Sequence, residues 1–120
     1  MRKYLSLGLL ASLLAVPAAA QKPEPLESNL RCLTVLFAIT GSVPEEQRGQ
    51  VVTGVMYFVG LIDGQAPGTD LKVEMKRLIP TLTPALVSSE AQRCGGLLTA
   101  KGGQLQALGQ ALQEAQPAKP

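Results

Sequence analysis

The sequence predicts an all-α fold: an irregular cluster of four helices, with one disulfide joining the first and last helices. Three observations support this prediction. Apolar residues repeat every three or four positions through most of the chain, which is the spacing of helices that bury one face. Glycine and proline clusters divide the chain into four such segments. Two cysteines, far apart in the sequence, follow an N-terminal export signal.

The first twenty residues are typical of a cleavable signal peptide. Arg2 and Lys3 form a short positive region, and the thirteen residues that follow are almost all apolar. Small residues then occupy both positions that a signal peptidase reads, Ala18 and Ala20, which predicts cleavage before Gln21. A membrane anchor is the alternative, but thirteen helical residues span only ~20 Å of a hydrocarbon core ~30 Å thick.

Removal of this segment changes the charge of the protein. The full chain has 11 Lys and Arg residues against 9 Asp and Glu residues, and two of the basic residues belong to the signal, so 9 of each remain. A net charge of zero removes the electrostatic basis for nucleic-acid binding. We expect an extended arm at residues 21–27, a single helical domain at 28–115 and a disordered tail at 116–120.

Cys32 and Cys94 are the only cysteines, and export places them where thiols are oxidised. A disulfide between them would close a loop of about sixty residues, for which loop entropy predicts a stabilisation of ~4 kcal/mol. A redox pair or a metal site is the alternative. The sequence has no C-x-x-C motif and no histidine, so we favour the structural disulfide.

The first helix is predicted to begin with Ser28 or Asn29 as its N-cap and to end near Thr40, before Gly41. Its apolar stripe is broad, which indicates that most of this helix is buried. The stripe has four main members: Leu30, Leu33, Leu36 and Phe37.

The second helix is predicted from about residue 44 to residue 62, with Ser42 and Glu45 at the spacing of a capping box. Its β-branched residues would also suit a buried strand, but its length and the helical spacing of its apolar residues favour a helix. Three glycines weaken this helix and indicate that another element packs closely against it: Gly49, Gly54 and Gly60.

A glycine- and proline-rich loop at residues 63–68 precedes a short third helix, for which Thr69 or Asp70 is the expected N-cap. Two prolines then predict an irregular connector at residues 79–87. We expect the last helix to run from about Ser89 to the tail, with a bend at its second Gly-Gly pair. It carries a narrow apolar stripe: Cys94, Leu97, Leu98, Leu105, Leu108 and Leu112.

The predicted disulfide constrains the topology. Cys32 and Cys94 are both expected in the opening turns of their helices, and a disulfide requires their Cα atoms to lie within about 7 Å. In a regular up-down-up-down bundle, the first and fourth helices run in opposite directions, which would hold the cysteines apart. We therefore expect residues 80–87 to carry the chain back along the body, so that the last helix runs alongside the first in the same direction.

Little catalytic chemistry is available to this chain. Without histidine, it lacks the usual general base and the commonest metal ligand, so we expect no enzyme, no metal and no cofactor. Acidic residues are the remaining candidates. Glu45 and Glu46 fit the start of a helix. Asp63 and Asp70 flank the loop. They could bind a cation, but we favour the simpler interpretation that Asp63 is a turn residue and Asp70 is a helix cap.

Tyr57 is the candidate contact for a partner. Adjacent helical residues point about 100° apart, so only one of Tyr57 and Phe58 can face the centre of the core. One interpretation buries Phe58 and places Tyr57 at the edge of the core, with its hydroxyl in water. The other places Tyr57 in an exposed apolar groove that receives a peptide or another subunit.

Three short segments carry a resemblance to a known family. They are Arg31-Cys32, then Tyr57 to Gly64 with Pro67-Gly68, then Arg93-Cys94-Gly95. On these segments the chain resembles short, uncharacterised exported proteins of alphaproteobacteria, sphingomonad types in particular, over about residues 30–110. The resemblance implies a periplasmic location and supplies no activity. In layout alone, the chain is also similar to the small helical acid-stress chaperone HdeA, which has a signal peptide and one disulfide joining distant helices.

We therefore expect a non-catalytic periplasmic protein that acts by binding, either to another protein or to further copies of itself, through an apolar helical face. The alternative is a chaperone-like stress protein that exposes apolar surface when acid discharges its carboxylates, near pH 4 or below. An enzyme that uses carboxylates would instead need two acidic side chains to converge in a pocket. We expect no nucleic-acid partner, and no stable membrane span after cleavage.

Overall fold

The computed structural model describes residues 24–117 and has four α-helices, which confirms the all-α prediction. The predicted signal peptide, its cleavage site at Ala18, Ala20 and Gln21, and the last three residues of the predicted tail lie outside the described part. The described residues form no strand. In chain order the elements are α1 (Leu26–Thr40), α2 (Glu45–Gln65), α3 (Leu71–Leu78), a 3₁₀ turn (Ile79–Thr81) and α4 (Pro84–Glu114).

α1 begins earlier than predicted, because Pro25 and not Ser28 or Asn29 is its N-cap. The Pro25 carbonyl accepts hydrogen bonds from the backbone N–H groups of Ser28 and Asn29, so both residues lie within the first turn. The predicted extended arm at residues 21–27 is therefore wrong at its last two residues. The Asn29 side chain instead donates a hydrogen bond of 2.8 Å to Gln65 Oε1, which ties the start of α1 to the end of α2.

α2 also follows a proline, because Pro44 is its N-cap and the predicted capping box of Ser42 and Glu45 does not form in the described chain. The helix continues to Gln65, three residues further than predicted. Gln65 explains the extension, since its side chain accepts from Asn29 and donates to the Glu24 carbonyl at 2.7 Å. These hydrogen bonds hold the last turn of α2 against the start of the described chain.

The loop between α2 and α3 turns at Gly68, whose φ of 80° lies in the left-handed region that glycine adopts freely. Asp70 then caps α3 as predicted, because its side chain accepts a hydrogen bond of 3.1 Å from the backbone N–H of Val73. The three residues after α3 form the 3₁₀ turn, so the predicted connector is confirmed as irregular but is shorter than expected.

α4 begins five residues before the predicted start, at Pro84, with Thr83 as its N-cap. The Thr83 hydroxyl accepts from the backbone N–H of Leu86 at 3.2 Å. A proline at the first helical position needs no hydrogen-bond partner for its nitrogen, so it starts this helix instead of interrupting it. From there α4 continues as one helix through Gly102 and Gly103 to Glu114.

The core lies where α1, α2 and α4 meet, and α3 closes one end of it. Its buried members are Leu30, Cys32, Leu33, Leu36, Phe58, Ile62, Leu78 and Cys94. The predicted close approach to α2 occurs at Gly54, where an added Cβ would lie 2.7 Å from Leu98 Cδ1. At Gly49 and Gly60, no described atom lies within 4 Å of an added Cβ, so the prediction was wrong there. Phe37, predicted in the buried stripe of α1, is 51% exposed.

Cys32 and Cys94 form the predicted disulfide, and their Cα atoms lie 5.6 Å apart. Cys94 lies ten residues after the start of α4, not in its opening turns, because the helix begins earlier. Four residues beyond the cysteines, Leu36 and Leu98 both reach Gly54. α1 and α4 therefore run in the same direction, as the position of the disulfide had predicted. The expectation that residues 80–87 carry the chain back along the body was wrong, because residues 84–87 already belong to α4.

Candidate functional site

The last thirteen residues of α4 extend beyond the rest of the molecule. Every residue from Gly102 to Pro117 is exposed, whereas each buried or half-buried residue of α4 lies before Gly102. We call residues 102–114 the α4 extension. None of its side chains belongs to the buried core of the described residues.

One face of the α4 extension is apolar. Leu105, Leu108 and Leu112 are 60%, 55% and 58% exposed, and their spacing of three and four residues places them on the same side of the helix. We call these three residues the leucine stripe. The sequence predicted one continuous apolar stripe along the last helix. The structure divides that stripe, because Cys94 is buried and Leu97 and Leu98 pack against the core, while the leucine stripe lies in solvent.

A groove lies at the base of the extension, between α4 and the pair formed by α1 and α2. Its volume is about 340 Å³, at the lower end of the range for small-molecule pockets. No ionisable side chain lines it, so the groove offers apolar contact and few hydrogen bonds. Its lining residues are Leu36, Gln50, Val51, Gly95, Leu98 and Thr99.

A cluster of charged residues lies beside the disulfide, where α4 contacts α1. The Glu90 side chain is 11% exposed and pairs with Arg93 at 2.6 Å and with Arg31 at 3.7 Å. Arg93 also donates to the carbonyl of Ser28 at 3.0 Å and lies 3.2 Å from Cys32 Sγ. Sequence reasoning did not identify this cluster. The available signal was the arginine that precedes each of the two cysteines.

Glu90 lies close enough to the two sulfurs to form a group of three potential metal ligands. The carboxylate oxygen and both Sγ atoms lie within 4.8 Å of one another. In the oxidised protein, however, both sulfurs are bonded to each other and Glu90 is held by Arg93, so none of the three is available for coordination. The disulfide and the ion pairs of Glu90 therefore act together to hold α1 against α4.

A second ion pair joins α1 to α3. Arg77 donates hydrogen bonds to both carboxylate oxygens of Glu27, at 2.8 and 3.2 Å, and also contacts Glu74 at 2.7 Å. These hydrogen bonds from Arg77 hold the pKa of the Glu27 carboxyl below its ordinary value of 4.5. Glu27 and Glu74 in turn raise the pKa of Arg77.

Tyr57 is half-buried at the edge of the core, and Phe58 is fully buried. The two rings meet edge to face, with their centroids 5.2 Å apart. Tyr57 is not among the residues that line the groove. Its role as a partner contact stays a prediction. Of the acidic residues considered above, Asp70 is a helix cap and Glu45 and Glu46 occupy the first turn of α2, as predicted. The prediction that Asp63 is a turn residue was wrong, because α2 continues past it to Gln65.

Within residues 24–117, no helix combines the length and apolar character needed to cross a membrane. Comparison of the chain with protein-family models, with curated proteins and with solved structures finds no match. The α4 extension and the groove at its base are therefore the candidate functional surface.

Proposed function

We propose that this chain is an exported, non-catalytic protein that binds a protein partner through the apolar face of the α4 extension. The exposure of the leucine stripe carries the proposal. Isolated exposed apolar residues are ordinary, but three large ones on one face of an unsupported helix form a surface that a partner helix can cover. Residues 102–113 carry no charge, so an apolar partner surface meets no unpaired charge there.

Export to the periplasm is the second part of the proposal. The predicted signal peptide supports it, as does the resemblance to exported proteins of alphaproteobacteria. The disulfide adds a physical argument, because bonds of this kind persist in oxidising compartments and are rare in the cytosol. If the purified exported protein retained its first twenty residues, this part would be wrong.

Site-specific photocrosslinking in cells that export the full chain tests the binding surface. A photoreactive amino acid replaces Leu108 in the leucine stripe, and in a matched control it replaces Gln110, which lies on the other side of the same helix turn. We expect protein adducts from position 108 and few from position 110. Equal yields at both positions, or adducts at neither, would refute the proposed surface.

An acid-activated chaperone is the second candidate function, and the ion pair between Glu27 and Arg77 favours it. That pair joins α1 to α3 at neutral pH, and protonation of Glu27 would remove the attraction. The test compares the fluorescence of an apolar dye at pH 3 and pH 7. The leucine stripe gives a signal at both pH values, so the informative quantity is the increase on acidification. Its absence would eliminate the chaperone function.

A further inference from the structure

We infer that the partner of the α4 extension is a second copy of this chain, bound antiparallel so that the two extensions lie side by side. This inference rests on the proposed function, since it identifies the occupant of the same surface. It is supported by the spacing of glycine and leucine along α4, by the surroundings of those glycines, and by the groove at the base of the extension.

Two rows of residues repeat every seven positions along α4. Gly95, Gly102 and Gly109 form the glycine row, and Leu98, Leu105 and Leu112 form the leucine row. Residues seven apart on a helix share nearly the same face, and each glycine of the extension follows a leucine of the row by four positions. The two rows are therefore neighbours along one side of α4. A repeat of seven is the spacing of helices that pair along their length.

Packing among the described residues does not explain the glycines of the extension. At Gly102 and Gly109, no described atom lies within 4 Å of an added Cβ, although each glycine weakens a helix by about 1 kcal/mol relative to alanine. Gly54 shows the contrast, because Leu98 occupies the space that its side chain would need. A partner helix that packs against the glycine row as closely as Leu98 packs against Gly54 would explain why these positions are glycine.

A second copy fits this surface with its helix antiparallel. Two-fold symmetry then places the two glycine rows on one side of the contact, where the backbones approach closely, and the two leucine rows on the other, where they interdigitate. A parallel pair would instead place the two Lys101 side chains together. Lys101 lies at the start of the apolar face, so the antiparallel arrangement separates these like charges by most of the length of the extension.

The groove completes the interface. Gly95 and Leu98, which line the groove, are the first members of the two rows. In an antiparallel pair centred between residues 106 and 107, Leu112 of one copy lies opposite Lys101 of the other, about 3 Å along the helix from Thr99 at the edge of the groove. The extension is only about 20 Å long, so by itself it offers less surface than the ~800 Å² that each partner contributes to a standard interface. Contact with the groove adds to the buried area.

Adjacent glycines provide a matched pair of variants for sedimentation equilibrium of the purified exported protein. Gly102→Leu places a side chain in the glycine row, whereas Gly103→Leu places the same side chain about 100° further around the helix, on the side away from the leucine row. At both glycines, no described atom beyond the adjacent helix backbone lies within 4 Å of an added Cβ, so we expect both variants to keep the body folded, which circular dichroism checks. We expect a wild-type dimer, at least tenfold weaker dimerisation for Gly102→Leu, and little change for Gly103→Leu.

A monomeric wild-type protein at 100 µM, or equal effects of the two variants, would overturn the inference. The proposed function would survive that result if photocrosslinking at position 108 joined the chain to a different protein, and would fail if no adduct formed. Nitroxide labels at Ser88→Cys measure the orientation. Antiparallel pairing predicts about 55 Å between the two labelled backbones, from ~1.5 Å per helical residue, and a distance near 20 Å would overturn it.

Discussion

Reduction of the Cys32–Cys94 disulfide is predicted to remove about 4 kcal/mol of stability. The bond joins residues separated by 62 positions, and the loop-entropy relation gives ~4 kcal/mol for a loop of that size. The total free energy of unfolding of a small domain is about 5–15 kcal/mol, so this loss is a large fraction of it. With an m-value of about 4 kcal/mol/M in guanidinium chloride, the unfolding midpoint falls by about 1 M.

The measurement compares the oxidised protein with protein that has been reduced in denaturant and refolded under reductant. Both samples keep the two sulfur atoms in the core, where the cysteines are fully buried, so the difference isolates the covalent link. A Cys32→Ala/Cys94→Ala variant adds the loss of buried sulfur, and it is expected to be less stable still. Guanidinium unfolding followed by circular dichroism gives both the midpoint and the m-value.

The m-value provides the decisive check on the reasoning. A cross-link that acts through the unfolded chain keeps that chain compact, so the reduced protein should expose more surface on unfolding and show a larger m-value. A loss of less than about 1 kcal/mol with an unchanged m-value would refute the argument. It would mean that the described packing and the ion pairs around the disulfide hold α1 to α4 without the bond.

Two further predictions concern α2 and the ion pair between α1 and α3. Gly54→Leu should lower stability by about 1–3 kcal/mol because Leu98 occupies the required space, whereas Gly60→Leu, at an open position, should raise it slightly, as thermal unfolding would show. The lowered pKa of Glu27 contributes stability above pH 4.5 that is lost as the pH falls through the folded-state pKa. Glu27→Gln and Arg77→Gln should therefore both flatten the pH dependence of unfolding below pH 4.5, and an unchanged profile would contradict this.

The disulfide and the direction of the last helix were predictable because both follow from geometry that applies to any chain. A bond between Cys32 and Cys94 requires close Cα atoms, and only a few helix arrangements permit that. The helix starts were predicted less well, for one shared reason. α1 and α2 begin directly after a proline N-cap, and α4 begins with a proline. Proline's fixed φ and missing N–H set these starts, whereas the spacing of polar residues predicts side-chain caps at other positions.

The exposed part of α4 was not predictable from the pattern of apolar residues. Periodicity shows which residues share a face, but it does not show whether another element covers that face. Leu98 and Leu105 are equivalent in the repeat, yet Leu98 packs against the core and Leu105 is 60% exposed. The difference arises because α1 ends at Thr40, so the helix that covers α4 near Leu98 does not continue beside Leu105.

The disulfide and the proposed interface are mechanically connected. The buried and half-buried residues of α4 extend from Leu86 to Lys101, and Cys94 lies at the centre of that stretch. From Cys94 to Glu114, the helix is about 30 Å long. A small rotation at the disulfide therefore moves the end of the extension by several ångströms relative to the groove. In the proposed dimer, the extension of each copy reaches the groove of the other, so the angle between extension and groove within one copy must be fixed. Oxidation of Cys32 and Cys94 would therefore prepare the binding surface as well as stabilise the fold.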